Sequence, residues 1–105
     1  MNPPSRWREL PWEIVWTRTA RRDVDRLPTT MQRRVVTALE QYATTGHGDL
    51  DRIEGADDEG RLRVGDWRAR FRARIERRQD DAGAELDVRV VEVLIVRHRS
   101  IVYRN

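Results

Sequence analysis

The chain has 105 residues, 38% hydrophobic and 37% charged, which sets the scale at one small domain with a small core. It contains no cysteine, so disulfide scaffolds and thiolate metal sites are excluded. No run approaches the ~20 apolar residues of a membrane span, and no apolar leader is visible; the expectation is a soluble, cytoplasmic protein without a membrane partner.

The net charge is only +3, yet all 21 basic residues are arginine. A GC-rich genome would produce that bias without any functional demand. Arginine is also the side chain that forks onto phosphate and stacks on bases. Placement along the chain, rather than total charge, has to separate these readings.

Residues 1–11 carry three prolines and no clear period, and read as an N-terminal arm ahead of a single domain over 12–105. Residues 12–17, Trp-Glu-Ile-Val-Trp-Thr, are β-rich and follow Pro11, as a first strand would. Ala20, Val24 and Leu27 then fall at helical spacing in a charge-dense stretch that Pro28 breaks. Thr29 or Thr30 offers an N-cap for a second helix, with Met31, Val35, Val36, Leu39 and Tyr42 along one face and Gly46 as its C-cap. The two segments form a helical hairpin.

Residues 47–60 are polar and glycine-containing, and read as a loop pinned by Leu50 and Ile53. A short strand at 61–64 follows, then a Gly65-Asp66 turn, a strand at 67–76, a turn at 79–83 and a mostly apolar strand at 88–96. A final short strand is expected at 100–103. This order predicts an α+β fold: an N-terminal strand and a helical hairpin packed on one face of a small antiparallel sheet.

Side chains alternate along a strand. Arg68, Arg70, Arg72 and Arg74 therefore share one face, and Ala69, Phe71, Ala73 and Ile75 the other. In the preceding strand Arg61 and Arg63 oppose Leu62 and Val64. The apolar faces must receive the helices, which leaves a face crowded with guanidinium groups. Like charges across neighbouring strands are unfavourable, so the pattern suits either a solvated face or one filled by an anion. Only Glu76 interrupts it along the strand. In the tail, Arg89, Arg97 and Arg99 share parity if no bulge intervenes, and Tyr103 follows them. A basic surface with an aromatic at its rim suits RNA.

With those residues in view, the sequence resembles the RelE/ParE toxin superfamily. The resemblance rests on W-E-I-V-W-T-R-T-A-R-R-D-V-D-R-L-P, G-R-L-R-V-G-D-W-R-A-R-F and V-R-V-V-E-V-L-I-V-R-H-R-S-I-V-Y-R, in that order. It implies a toxin of a type II toxin–antitoxin system, with a RelE-like fold. In the RelE branch, it implies a ribosome-dependent endoribonuclease acting on messenger RNA. Carried over by position, the catalytic residues would be Arg68, Arg99 and Tyr103, and RNA would be bound by Arg61 and Arg63. Arg70, Arg72 and Arg97 join them as RNA-binding candidates from their place on the basic face. The family has lysines where this chain has Arg61 and Arg63, and the turn before Arg68 is shorter than in the best-known enzyme.

The implied reaction is attack of an RNA 2′-hydroxyl on the adjacent phosphate, which requires no metal and no cofactor. Arginines are poor acids but stabilise a developing phosphorane. Tyr103 is the candidate proton carrier, with neighbouring cations favouring its phenolate. His98 is the alternative, although a regular strand would turn it away from Arg97 and Arg99. His47 lies in the polar loop. Two rivals share the fold: a ParE-like inhibitor of DNA gyrase, and a non-catalytic RNA-binding member. The resemblance implies a cognate antitoxin as partner in a toxin–antitoxin hetero-oligomer, besides messenger RNA on the ribosome.

Overall fold

The computed structural model describes residues 9–52 and 59–102. In chain order the elements are β1 (Trp12–Trp16), α1 (Arg18–Asp25), α2 (Thr29–Thr45), β2 (Leu50–Arg52), β3 (Glu59–Val64), β4 (Trp67–Gln79), β5 (Glu85–His98) and α3 (Arg99–Val102). Most of the expected arm, Ile53 and Tyr103 lie outside the described residues.

The local signals explain the helical hairpin. The Thr17 side chain accepts from the Ala20 amide at 3.1 Å and caps α1. Pro28 separates the helices, and α2 ends at Gly46, which adopts the left-handed conformation with φ 76°. Val35, Leu39 and Ala43 recur every four residues along α2 and are buried. They meet Leu62, Val64, Ala69, Phe71, Val91, Val93 and Val96 in one core. The expected α+β architecture, with the helices on the apolar sheet face, is present.

The sheet order is β1-β5-β4-β3-β2. It is mixed rather than wholly antiparallel, because β1 runs parallel to β5, with Trp12 opposite Arg89 and Trp16 opposite Val93. The residue pattern of a strand identifies its buried face but not its neighbour, so this pairing had no signal in the sequence. Where β1 ends, α1 takes over the edge of β5. The Val96 amide donates to Asp23 Oδ2 at 2.9 Å, and Arg97 Nε donates to the same oxygen at 2.9 Å. Asp23 thus stands in for the strand that is missing there.

A β-bulge interrupts the β4–β5 ladder. Arg70 pairs with Ile95 and Phe71 with Val93, which leaves Leu94 as an additional residue in β5. Its carbonyl accepts from the Thr17 hydroxyl at 2.8 Å. One threonine therefore joins the bulge, the end of β1 and the start of α1.

Three boundaries differ from expectation. The β4–β5 hairpin extends to Gln79 and Glu85, beyond its apolar part. Arg77 bridges Asp87 at 2.7 Å and Glu85 at 2.9 Å across the strands, and Asp80 Oδ1 accepts from the Ala82 and Ala84 amides in the turn. The expected loop contains the short strand β2, where Leu50 is exposed rather than pinned to the core. The expected last strand is instead the helical turn α3, started by a hydrogen bond of 2.8 Å from the Arg99 amide to the Asp66 carbonyl. Among the described residues, no helix is long and apolar enough to cross a membrane.

Candidate nucleic-acid interface

The arginine face is built by register. Arg68, Arg70 and Arg72 of β4 stand opposite Arg63, Arg61 and Glu59 of β3. On the other side, Arg68, Arg72 and Arg74 stand opposite Arg97, Glu92 and Val90 of β5. Residues directly opposite in an antiparallel pair share a face, so Arg61, Arg63, Arg68, Arg70, Arg72, Arg74 and Arg97 lie together. The bulge at Leu94 sends Arg89 to the opposite face, which corrects the shared parity expected for Arg89 and Arg97. Arg89 is buried, donates to the Thr44 carbonyl at 3.0 Å and also to the Leu10 carbonyl, and so secures the end of α2. Desolvation pushes its guanidinium below the ordinary arginine value.

The face carries more acid than the alternation within β4 suggests. Glu59 takes Arg70 at 2.8 Å and Arg72 at 2.9 Å. Glu92 lies 3.4 Å from Arg74 and 3.9 Å from Arg72, and Glu76 lies 2.7 Å from Arg74. Asp51 lies 3.7 Å from both Arg61 and Arg63. Most of these carboxylates come from neighbouring strands, where the residue pattern of β4 cannot reveal them. The result is a lattice of alternating charge that holds the arginine stems in place. An incoming polyanion must compete with it.

Glu59 is central to that competition. Its hydrogen bond from Arg70, then the contact with Arg72, holds the carboxyl below the ordinary carboxylate range against the opposing effect of burial. The folded value is depressed, so the stabilisation is complete above pH 4.5, the ordinary value, and fades as pH falls through the lower folded value. In Glu59→Gln this acid sensitivity should shrink, read as a smaller drop in Tm below pH 4.5 than in the unaltered protein. The same variant removes the carboxylate that Arg70 and Arg72 share and should elute from heparin at higher salt.

Two of the three expected catalytic residues meet at the β3–β4 turn. Arg68 is buried, and its Nη1 donates to the Gly65 carbonyl at 2.9 Å and the Trp67 carbonyl at 2.8 Å. Arg99 reaches the same turn from the tail. Its amide bonds Asp66, and its guanidinium lies 3.8 Å from the Asp66 carboxylate, with 61% of the side chain exposed. Arg68 is thus anchored and Arg99 is open to solvent. His98 stands opposite Trp67, on the face away from Arg97, with the two rings edge-on at 5.5 Å. Its Nδ1 accepts from the Ser100 amide at 3.3 Å, which ties it to the start of α3. His47 is exposed, as expected.

A third arginine at this turn went unnoticed in the sequence. Gly65 has φ 60°, and a Cβ built on it would lie 3.5 Å from both Nη atoms of Arg34. Arg34 sits on the polar side of α2, where helical periodicity marks only a solvated residue. Among the described residues, no group of three or more histidines or carboxylates is placed to hold a metal.

No protein-family model matches the sequence, and no curated protein matches it. Solved structures do. The RelB–RelE antitoxin–toxin complex from Methanococcus jannaschii contains a chain 17% identical, aligned over 85% of this chain and 94% of its own, with a TM-score of 0.58. That likeness establishes the fold. The RelBE2 toxin–antitoxin complex from Mycobacterium tuberculosis contains a chain 28% identical, aligned over 86% of this one and 100% of its own, with a TM-score of 0.56. The chain has a RelE-like fold. In this RelE-like fold, the mixed sheet, the bulged central strand and the arginine-lined turn are the features that position the basic face.

Proposed function

We propose that this protein is the toxin of a type II toxin–antitoxin pair, and that it cleaves messenger RNA on the ribosome without a metal. The observation that carries the reading is the meeting of anchored Arg68 and open Arg99 at one turn, beside a face of further arginines. Both resembling structures are toxin–antitoxin complexes, which supports a cognate antitoxin as partner.

In this mechanism Arg99 meets the scissile phosphate, and the carbonyl-bound guanidinium of Arg68 holds the turn and contributes fixed positive charge. Charge developing on the phosphorane oxygens is stabilised by groups already in position. The 2′-oxygen attacks phosphorus and the 5′-oxygen leaves, giving a cyclic phosphate and a free 5′-hydroxyl. Tyr103 carries the proton from one oxygen to the other in this proposal. Arg61, Arg63, Arg70, Arg72 and Arg97 bind the flanking RNA once their internal carboxylate partners are displaced. The site of action is the cytoplasm.

Arg99→Ala is the cleanest test, because this side chain is exposed and its one ion pair among the described residues is long. The variant should keep its Tm and lose message cleavage by roughly a hundredfold, the scale of one lost charge-stabilising donor. Primer extension on cellular messages after induction, with and without the antitoxin, reads this directly. Arrest of replication before translation, with intact messages, would reassign the protein to the gyrase-poisoning branch.

A further inference from the structure

A groove of about 540 Å³ lies between α2 and the β3–β4 turn, on the other side of that turn from Arg68. This volume is within the usual range for a binding cleft, ~300–1,000 Å³. Three guanidinium groups line it, those of Arg33, Arg34 and Arg63, against one carboxylate, Asp49. Arg63 meets Asp49 and Asp51 only loosely, at 3.9 and 3.7 Å. Arg33 and Arg34 are exposed and have no acidic partner among the described residues. This sets them apart from the arginines of the sheet face, which are held in a lattice of carboxylates.

The remaining walls mix neutral polar and small apolar side chains. Thr30, Thr37 and Gln41 offer neutral hydrogen-bonding groups, and Ala38 and Val64 are the apolar side chains. A docked protein segment normally buries large apolar anchors at its centre, and the apolar side chains here, Ala38 and Val64, are small and flanked by three guanidinium groups. A sugar–phosphate backbone needs spaced positive charge and neutral hydrogen-bonding groups, which are present. The first turn of α2, which includes Thr30, contains no acidic residue to repel an anion.

Continuity with the sheet face completes the argument. Arg63 belongs to both surfaces: it lines the groove and stands opposite Arg68 in the ladder. Arg34 lies over Gly65, whose carbonyl holds Arg68 from the other side. A strand leaving the basic face therefore crosses a side-chain-free glycine and arrives between Arg63 and Arg34.

We infer that the groove between α2 and the β3–β4 turn binds the phosphodiester backbone of an RNA strand as it leaves the sheet face. The inference deepens the nuclease reading and rests on RNA being the ligand. Arg33 and Arg34 bind phosphates distant from the cut and are not catalytic.

The test is fluorescence anisotropy with a labelled single-stranded RNA 12-mer and the DNA of equal sequence, titrated over a range of salt. The unaltered protein is compared with Arg33→Gln/Arg34→Gln and with Arg21→Gln/Arg22→Gln, which removes the same charge from the exposed face of α1. Loss of two phosphate contacts should lower the salt slope by about 1.4 and weaken RNA binding by roughly 25-fold near 0.1 M salt. The α1 control should change much less, and Tm should not move.

Equal effects of the two double variants, or no RNA binding by the unaltered protein, would overturn the inference. So would a preference for DNA, or a groove variant that loses only a polyglutamate peptide. Message cleavage is scored in parallel. Cleavage with an unaffected groove variant sinks this inference alone, whereas groove-dependent binding without cleavage sinks the nuclease reading and leaves the groove standing.

Discussion

Arg68→Ala should give a folded but inactive protein, with message cleavage reduced by about 10²–10³-fold and growth arrest abolished on induction. The expectation follows from what this guanidinium does at the turn. It is buried and donates to the carbonyls of Gly65 and Trp67, so it fixes the loop that also receives Arg99. Truncation removes the positive charge and the two hydrogen bonds to the Gly65 and Trp67 carbonyls, at a cost of about 1–3 kcal/mol. Those two effects separate in Arg68→Lys. Lysine keeps the charge but not the planar fork, so it should recover more of the activity than of the stability. Denaturant unfolding beside primer extension distinguishes them. An alanine variant that is folded and fully toxic would remove Arg68 from the mechanism.

The largest effect on stability is expected at Phe71. Its ring is 2% exposed and lies 4.6 Å from Tyr42 of α2 at a tilt of 49°. On the neighbouring strand Gly60 makes room for it: a Cβ there would fall 2.5 Å from Phe71 Cζ. The ring thus joins α2 to the sheet beside the bulge. Phe71→Ala should cost about 3–5 kcal/mol, a large part of the ~5–15 kcal/mol that holds a small domain together. Phe71→Leu keeps most of the volume and should cost much less. Urea unfolding gives both values, and a loss below about 1 kcal/mol for the alanine variant would show that the ring carries little of the core. Toxicity lost in Phe71→Ala reports on folding alone, because the residue faces the helices.

The helical hairpin and the two-faced β4 strand were legible because each has its own period. Arg68, Arg70 and Arg72 alternate with Ala69, Phe71 and Ala73, and no other packing buries the apolar set. Pro28, Gly46 and the Gly65-Asp66 turn marked boundaries through backbone chemistry. What could not be read depends on partners distant in sequence. The single additional residue at Leu94 reverses Arg89 and leaves no compositional trace. The α3 turn contains Ile101 and Val102, whose branched side chains favour strand in isolation. At the candidate site, the arginines of the sheet were visible, but Glu59 and Glu92, which neutralise several of them, come from other strands. Arg34 was hidden by its position on the solvent side of a helix.

The parallel pairing of β1 with β5 also sets a schedule for the nascent chain. The hydrogen bond from Thr17 to Leu94 closes a sequence separation of 77 residues. During synthesis, β1 and both helices emerge long before the strand that must lie between β1 and β4. Local helices form early, whereas closing so long a loop is slow. Until β5 arrives, Arg97 and Arg99 do not exist and the Gly65-Asp66 turn has no tail to receive. The basic face is therefore assembled only after β1, α1, α2 and β2–β4 have been made.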